Sequence, residues 1–172
     1  MIIYYKIKVG GGIMYNINII CIGKLKERYL TEACGEYLKR LNAYCSIKII
    51  ELDEYRITKS HEADIKTAVK IEGERIIKKI PPASFTIGMF IDGKQLTSSA
   101  FADKISKTAL NKSSTINFII GGSYGLSDNV RKVCDEIISL SPMTFPHQLF
   151  RIILLEQLYR AFTILNGGSY HK

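Results

Sequence analysis

The stretch "STINFIIGGSYGLSD" (114–128) joins a continuous apolar run to a glycine-rich loop and then to the start of a helix. Ser127 is a residue type that caps helices. Gly121, Gly122 and Gly125 allow a tight turn and a close backbone approach to a ligand. A strand, a glycine loop and a helix in this order are typical of α/β proteins. Two interpretations stay open: the loop binds a ligand, or its glycines serve only the backbone geometry.

The same alternation extends outward over the rest of the chain, with apolar strands that are continuous rather than alternating. Continuous apolar strands are typical of a sheet covered on both faces. We therefore predict an α/β fold with a mostly parallel sheet and helices on both faces. The strands are expected at 17–23, 46–54, 84–93, 114–120 and 136–141. The helices are expected at 26–44, 61–80 (stopped by Pro81 and Pro82), 98–110 (capped by Ser98 or Ser99), 127 to about 135, and 147–165 (opened by Pro146).

Length and charge bound the organisation of the protein. The 172 residues are 47% hydrophobic, which suits one well-packed domain. The formal net charge is +8 and the pI is about 9.3, so the surface suits a polyanion such as nucleic acid or serves only solubility. Residues 1–13 end in a triple glycine and are expected to be an extension, an alternative start or a cloning remnant. The single domain is predicted to span 14–172.

Cysteine usage and hydropathy indicate a cytoplasmic protein. The four cysteines form no CxxC pair and have no histidine at zinc-ligand spacing, so neither a disulfide framework nor a structural metal is expected. Apolar runs are too short for a membrane span, and the first residues lack signal-peptide features. We expect a reducing compartment, no metal and no membrane partner.

Two further loops are expected beside the glycine loop. "MFIDGK" (89–94) and "SLSPMTFPHQL" (139–149) also follow strands, and the carboxyl ends of parallel strands share one edge of the sheet. The glycine loop fits neither GxGxxG nor GxxxxGK[ST], so a Rossmann site or a P-loop is not favoured. A pocket of backbone amides and apolar side chains would suit a flat, partly apolar ligand such as an adenosine. The side chains expected to form its walls are Met89, Leu140, Met143 and Phe145.

The last predicted helix, 147–165, is apolar on almost every side and must be buried on several faces. A partner subunit or a central position in a monomer would both supply that cover. Arg151 and Arg160 are charges on this helix. They either pair with Glu156 or reach the rim, or they contact RNA phosphate. His147 is expected to be a structural or cofactor-side residue.

Several motifs together resemble the ribosomal RNA large subunit methyltransferase H family of the SPOUT superfamily. "CIGKLKERYLTEACGEYLKRL" (21–41) is similar to the N-terminal segment of that family, and the resemblance covers 14–172. The more specific motifs are IGGSYG (120–125), MTFPHQ (143–148), EQLYRA (156–161) and YHK (170–172).

The resemblance implies an α/β fold whose C-terminal part forms a trefoil knot. It also implies a cytoplasmic homodimer that uses S-adenosylmethionine (SAM) to methylate N3 of a pseudouridine in 23S rRNA on assembled ribosomes. Many relatives carry leucine where Met89 stands, which a backbone contact would tolerate. By motif position, the cofactor contacts fall on Met89, Gly121, Leu140, Ser141, Pro142, Met143, Thr144 and Phe145.

The resemblance also implies roles for the C-terminal tail. His171 is a candidate base, because the ordinary pKa of histidine is about 6.5, and Tyr170 would position the target base. Lys172, Arg151 and Arg160 are the expected RNA contacts, with further phosphate contacts from basic residues around the first helix (Lys24, Lys26, Arg28, Lys39 and Arg40). Two other functions stay open: a non-catalytic ribosome-associated RNA-binding protein, and a methyltransferase that acts on tRNA.

Overall fold

The computed structural model describes residues 14–57 and 61–168. Five strands alternate with five helices in this part of the chain, which confirms the predicted order. The proposed extension, residues 1–13, lies outside the described residues, as do 169–172. The elements are β1 (Tyr15–Ile22), α1 (Arg28–Leu41), β2 (Cys45–Leu52), α2 (Glu62–Ile77), β3 (Phe85–Gln95), α3 (Ser98–Asn111), β4 (Thr115–Ile120), α4 (Asp128–Val133), β5 (Glu136–Ser139) and α5 (His147–Leu165).

The strands form one sheet in the order β2-β1-β4-β3-β5. Every neighbouring pair is parallel, with β1 between β2 and β4 and with β3 between β4 and β5. The predicted parallel sheet is therefore confirmed. Because β4, β3 and β5 are neighbours, the loops that follow them leave the same edge side by side.

Both faces of the sheet are buried, as the continuous apolar strands predict. In β1, Ile17 and Ile19 point into one core and Ile20 and Ile22 into the other. The first core is closed by α1, α3 and α5, and the second by α2 and α4. The predicted helices on both faces are thus confirmed. The trefoil knot that the family resemblance implies stays a prediction.

The capping residue was predicted correctly for α4 and wrongly for α3. Ser127 caps α4 as predicted, since its hydroxyl accepts a hydrogen bond from the Val130 N–H at 3.3 Å. The cap of α3 is Thr97, whose hydroxyl accepts from the Ala100 N–H at 3.1 Å. The prediction of Ser98 or Ser99 is wrong because the helical turn already begins at Ser98.

Helix α5 packs between α1 and α3 on the first face of the sheet. A position in the core of the single chain therefore accounts for much of its apolar surface, and a partner subunit is not needed for that part. Leu149, in the first turn, is 39% exposed. The fully or almost fully buried apolar residues of α5 are Leu154, Leu155, Leu158, Ala161 and Phe162.

The burial of α5 predicts a large cost for truncating Leu158, which is 0% exposed. Leu158→Ala should lower the free energy of unfolding by about 2–5 kcal/mol, because a cavity remains in the core. Leu110→Ala is the matched control, since Leu110 is 61% exposed and should stay within about 0.5 kcal/mol of the wild type. Urea denaturation at one fixed protein concentration measures both. Equal losses in the two variants would contradict this account of the core.

Candidate functional site

The last part of β3 and the loops after β4 and β5 surround one cavity of about 450 Å³ at the carboxyl edge of the sheet. All the residues expected to contact a cofactor line it, except Pro142, which is exposed. The three segments predicted to converge do so, although residues 89–94 belong to β3 itself rather than to a loop that follows it. The lining residues are Met89 to Ile91, Ile120 to Leu126, Ser139 to Ser141, Met143 to Phe145, His147 and Phe150.

The glycine loop is held by close packing against itself. A Cβ on Gly121 would lie 2.6 Å from the carbonyl carbon and oxygen of Gly125, so any side chain there displaces the backbone. Gly125 has φ +82°, and its N–H donates to the Gly122 carbonyl at 3.1 Å. Gly125 is therefore needed because its backbone is left-handed, whereas Gly121 is needed because a side chain there has no space within the loop.

The loop before α5 is shaped by serine hydroxyls. Ser139 is buried at the end of β5, and its hydroxyl donates to the Ser141 carbonyl at 2.8 Å. The Ser141 N–H donates back to the Ser139 hydroxyl at 3.3 Å, and the Met143 N–H donates to the Ser141 hydroxyl at 3.0 Å. These short-range bonds fix the backbone that faces the cavity before any ligand binds.

The third wall is a bulge near the end of β3. Met89 and Lys94 both pair with Ile138 of β5, so residues 90–93 are pushed out of the ladder. Arg131 of α4 holds this bulge: its guanidinium bonds Asp92 at 2.5 Å and lies 4.2 Å from the centre of the Phe90 ring. Ile91 consequently stands at the mouth of the cavity, 54% exposed.

His147 opens α5 at the base of the cavity. Its Nε2 lies 3.3 Å from the point where a Cβ on Gly23 would stand, so the ring is packed on the end of β1. Burial lowers the pKa of His147 below its ordinary value; the nearby positive charges of Arg151 and Lys26 act in the same direction, and Glu54 opposes them. The lowered pKa favours the neutral form of His147. Its ring lines the cavity and also packs on the end of β1, so both of the roles expected for it, structural and cofactor-side, stay open.

Arg151 is not placed for RNA. Its side chain is 1% exposed, its Nη1 pairs with Glu51 at 2.5 Å, and its Nη2 donates to the Gly23 carbonyl at 3.0 Å. A guanidinium so enclosed cannot meet a phosphate, so the prediction of an RNA contact is wrong for Arg151. The expected partner Glu156 is also wrong here, since the acid comes from β2.

Arg160 does pair with Glu156, one turn earlier on α5, at 2.8 Å. Its side chain keeps 26% of its surface exposed, so a further contact with phosphate stays a prediction. The tail residues Tyr170, His171 and Lys172 lie outside the described residues. Around α1, Arg28 and Arg40 form exposed i,i+4 pairs with acids, and such pairs contribute little to stability.

The part of the chain that the structure describes holds neither a metal-binding cluster nor a membrane-spanning helix. Within 14–57 and 61–168, no group of three His, Cys, Asp or Glu side chains is arranged to hold a metal ion. No helix in the same ranges is long and apolar enough to span a membrane. The four cysteines are free, and burial raises the pKa of Cys21 to about 12.

Comparisons with known proteins agree with this architecture. A family model described as "Predicted SPOUT methyltransferase" matches residues 15–171. Ribosomal RNA large subunit methyltransferase H of Bacillus pumilus is 51% identical over 158 residues, covering 91% of this chain and 99% of the relative. The protein of that name from Carboxydothermus hydrogenoformans is 49% identical over 157 residues, with 91% and 99% covered.

A solved structure shares the fold at low sequence identity. It is that of a probable methylase family protein from Haemophilus influenzae Rd KW20, with a TM-score of 0.51 and 14% identity. The match covers 92% of this chain and 71% of that one. The chain therefore belongs to the SPOUT methyltransferases and, among them, to the family of ribosomal RNA large subunit methyltransferase H. The resemblance carried by the sequence motifs is confirmed.

The lowered pKa of His147 predicts a pH dependence of stability. The His147 imidazole binds a proton more readily in the unfolded chain than in the folded protein. Its contribution to the free energy of unfolding is therefore full above pH 6.5, and it is lost as the pH falls from the pKa of the unfolded chain towards the lower pKa of the folded protein. His147→Gln should therefore lose less stability than the wild type between pH 8 and pH 5. Urea denaturation at both pH values measures it. Gln148→Ala, which removes no titrating group, should keep the wild-type difference; an unchanged difference in His147→Gln would contradict the assignment.

Proposed function

We propose that this protein is a cytoplasmic, SAM-dependent methyltransferase that modifies N3 of a pseudouridine in the 23S rRNA of assembled ribosomes. The observation that carries the proposal is the convergence of the last part of β3, the glycine loop and the loop before α5 on one cavity. The relatives that match almost the whole chain are named as large-subunit rRNA methyltransferases. The net charge of +8 favours an RNA substrate.

The cavity fits a cofactor with an adenosine and a sulfonium group. Its volume of about 450 Å³ lies in the usual range for small-ligand sites. Its described lining contains no Asp, Glu, Lys or Arg, and the apolar side chains suit an adenine ring. The rings of Phe145 and Phe150 are the kind of surface that attracts a cationic sulfonium. Bound SAM would supply an electrophilic methyl group.

The chain contributes alignment. Gly121, Leu140 to Phe145 and Met89 would hold the cofactor. The hydroxyls of Ser139 and Ser141 fix the backbone of residues 139–143, close packing fixes the glycine loop, and Met89 is paired with β5. A fixed site lets binding set the distance and angle of methyl transfer without further ordering of the loops.

The proton on N3 must leave when the methyl group is added, and we assign its removal to the tail. His171 would accept the proton and Tyr170 would position the base. His147 is less suited, because its lowered pKa makes it a weaker base.

The length of α5 supports a site shared between two copies of the chain. His147 lines the cavity at one end of the helix, which has 19 residues, so the other end lies about 28 Å away. The Gly168 N–H donates to the Thr163 carbonyl at 2.8 Å, which ties the start of the tail to that far end. Three more residues span at most about 11 Å, so His171 would reach the cavity of a second copy rather than its own.

A homodimer also suits the surface around the cavity. Ile91, Tyr124 and Met143 are 54%, 44% and 71% exposed, and a second copy would cover them. Arg160 lies near the end of α5 from which the tail departs, and we propose that Arg160 and Lys172 of the tail contact RNA phosphate. We also propose that the domain spans 14–172, with residues 1–13 outside it.

The modified nucleoside is the direct test of the proposed function. Purified protein, SAM and ribosomes from a strain that lacks the gene should give one new N3-methylated pseudouridine in 23S rRNA, read by mass spectrometry of nucleosides. The same incubation with tRNA should give none. Methylation of tRNA alone, or binding to ribosomes without any methylation, would contradict the proposal.

The packing of the glycine loop predicts that Gly121→Ala abolishes SAM binding. The new Cβ would lie 2.6 Å from the Gly125 backbone, so the loop must move away from the position that faces the cavity. Gly35→Ala, on the exposed side of α1 with nothing within 4 Å, is the matched control and should bind normally. Isothermal calorimetry measures affinity and thermal unfolding reports the fold. Wild-type affinity in a folded Gly121→Ala protein would refute the assignment of this loop.

Removing residues 170–172 should abolish methyl transfer while SAM binding and dimerisation persist, because the cavity and α5 remain. A general base contributes about 10²–10⁴-fold to the rate, so the loss of methyl transfer will be plain.

Mixing this truncated protein with Gly121→Ala should restore activity, since a mixed dimer joins one intact tail to one intact cavity. Full activity after truncation would exclude the tail, and an inactive mixture of proven heterodimers would exclude sharing. His171→Ala tests the base itself: an unchanged pH–rate profile would assign the proton elsewhere.

A further inference from the structure

Glu72 is a buried carboxyl group beneath the glycine loop. It lies on α2, in the core on the opposite face of the sheet from α5, and is 3% exposed. Its Oε1 accepts the Tyr55 N–H at 2.9 Å, which joins α2 to the segment after β2. Its Oε2 is enclosed and has no hydrogen-bond partner among the described residues.

That second oxygen is packed against the loop that lines the cavity. A Cβ on Gly122 would stand 3.0 Å from Glu72 Oε2 and 2.9 Å from Ile22 Cγ2, so only glycine fits between the helix and the end of β1. Gly122 lines the cavity, and its carbonyl closes the turn to Gly125. The carboxyl group of Glu72 therefore limits how closely the backbone of Gly122 can approach α2.

The Tyr55 N–H needs only one of the two carboxyl oxygens of Glu72. The second oxygen is buried without a partner, which costs free energy. Burial raises the pKa of Glu72, with Glu54 adding to the rise and the Tyr55 N–H and Arg75 opposing it. A neutral acid matches this environment better than a charged one.

A second carboxylate holds the same loop from its exposed side. Glu54, next to Tyr55, accepts the Ser123 hydroxyl at 2.9 Å. Arg75 of α2 donates to the Asp53 carbonyl at 2.6 Å and so fixes the same segment. The segment after β2 thus contacts the glycine loop through Glu54 and rests on α2 through Glu72.

We propose that Glu72 is a positioning residue for the cofactor: it holds Gly122, and with it the glycine loop, at the distance from α2 that SAM binding requires. Glu72 acts through the loop and touches no ligand itself. This inference rests on the proposed function, since it assigns the cavity to SAM. No contact with RNA is involved, so the effect should be confined to the cofactor.

The test compares three variants of the full chain by calorimetry with SAM and by steady-state methylation of ribosomes. Glu72→Ala should weaken SAM binding about tenfold or more, as expected for a residue coupled to its neighbour, with the KM for ribosomes unchanged. Glu72→Gln, which keeps the shape and an acceptor for Tyr55, should stay within about threefold of the wild type. Glu74→Ala, on the exposed side of the same helix, should match the wild type.

A double-mutant cycle separates positioning from general support of the fold. Gly122→Ala should also weaken SAM binding, and the double variant Glu72→Ala/Gly122→Ala should bind no worse than Gly122→Ala alone, because the carboxyl has been removed from the crowded space. If the loss of SAM affinity in the double variant equals the product of the losses in the two single variants, the inference is overturned. So would wild-type SAM affinity in Glu72→Ala, even if its melting temperature fell.

The outcomes also separate this inference from the proposed function. Should Glu72→Ala fail to fold, Glu72→Asp withdraws the carboxyl from Gly122 while keeping its chemistry, and the same loss of affinity is expected. A folded Glu72→Asp protein with wild-type affinity would overturn the role of Glu72 and leave the proposed function intact. A wild-type chain without SAM affinity would overturn both.

Discussion

The ion pair between the buried Arg151 and the partly buried Glu51 is the constraint on which the cavity depends. It joins the first turns of α5 to the end of β2, and the bond from Arg151 to the Gly23 carbonyl adds the end of β1. With α5 anchored there, residues 140–146 must close over the ends of β4 and β3. A buried charge without its partner is strongly destabilising, so these residues hold the helix only as a pair.

The order of the elements could be predicted because each strand is rich in apolar β-branched residues and is followed by a segment of helical spacing; β2, with Lys48 and Glu51, is the least continuous of them. The errors arose where local pattern was insufficient. Three adjacent residues, Thr97 to Ser99, can all cap a helix, and only the backbone shows which one precedes the first turn. The partner of Arg151 lies 100 residues away in the sequence, so no helical spacing could reveal it.

The site was predicted in outline for a topological reason: parallel strands place their following loops on one edge. The residues that support the site from behind were not predicted. Glu72 stands in "KIEGER" (70–75), which resembles a solvated helix surface, and nothing in that segment signals a buried acid. Gly121 was expected to admit a ligand, whereas a Cβ at this position would meet the backbone of Gly125. Such contacts depend on how α2 and the loop meet in space.

The position of β1 between β2 and β4 has a consequence for how the chain folds as it is synthesised. The β1-α1-β2 unit is local and can form early, but the other edge of β1 pairs with β4, where Asn18 bonds Asn117 across 99 residues. Until that strand leaves the ribosome, β1 presents an open, apolar edge. Non-local parallel pairing is slow, and nascent chains with such edges are prone to aggregate. Docking of β4 is thus the event that commits the nascent chain to its native sheet.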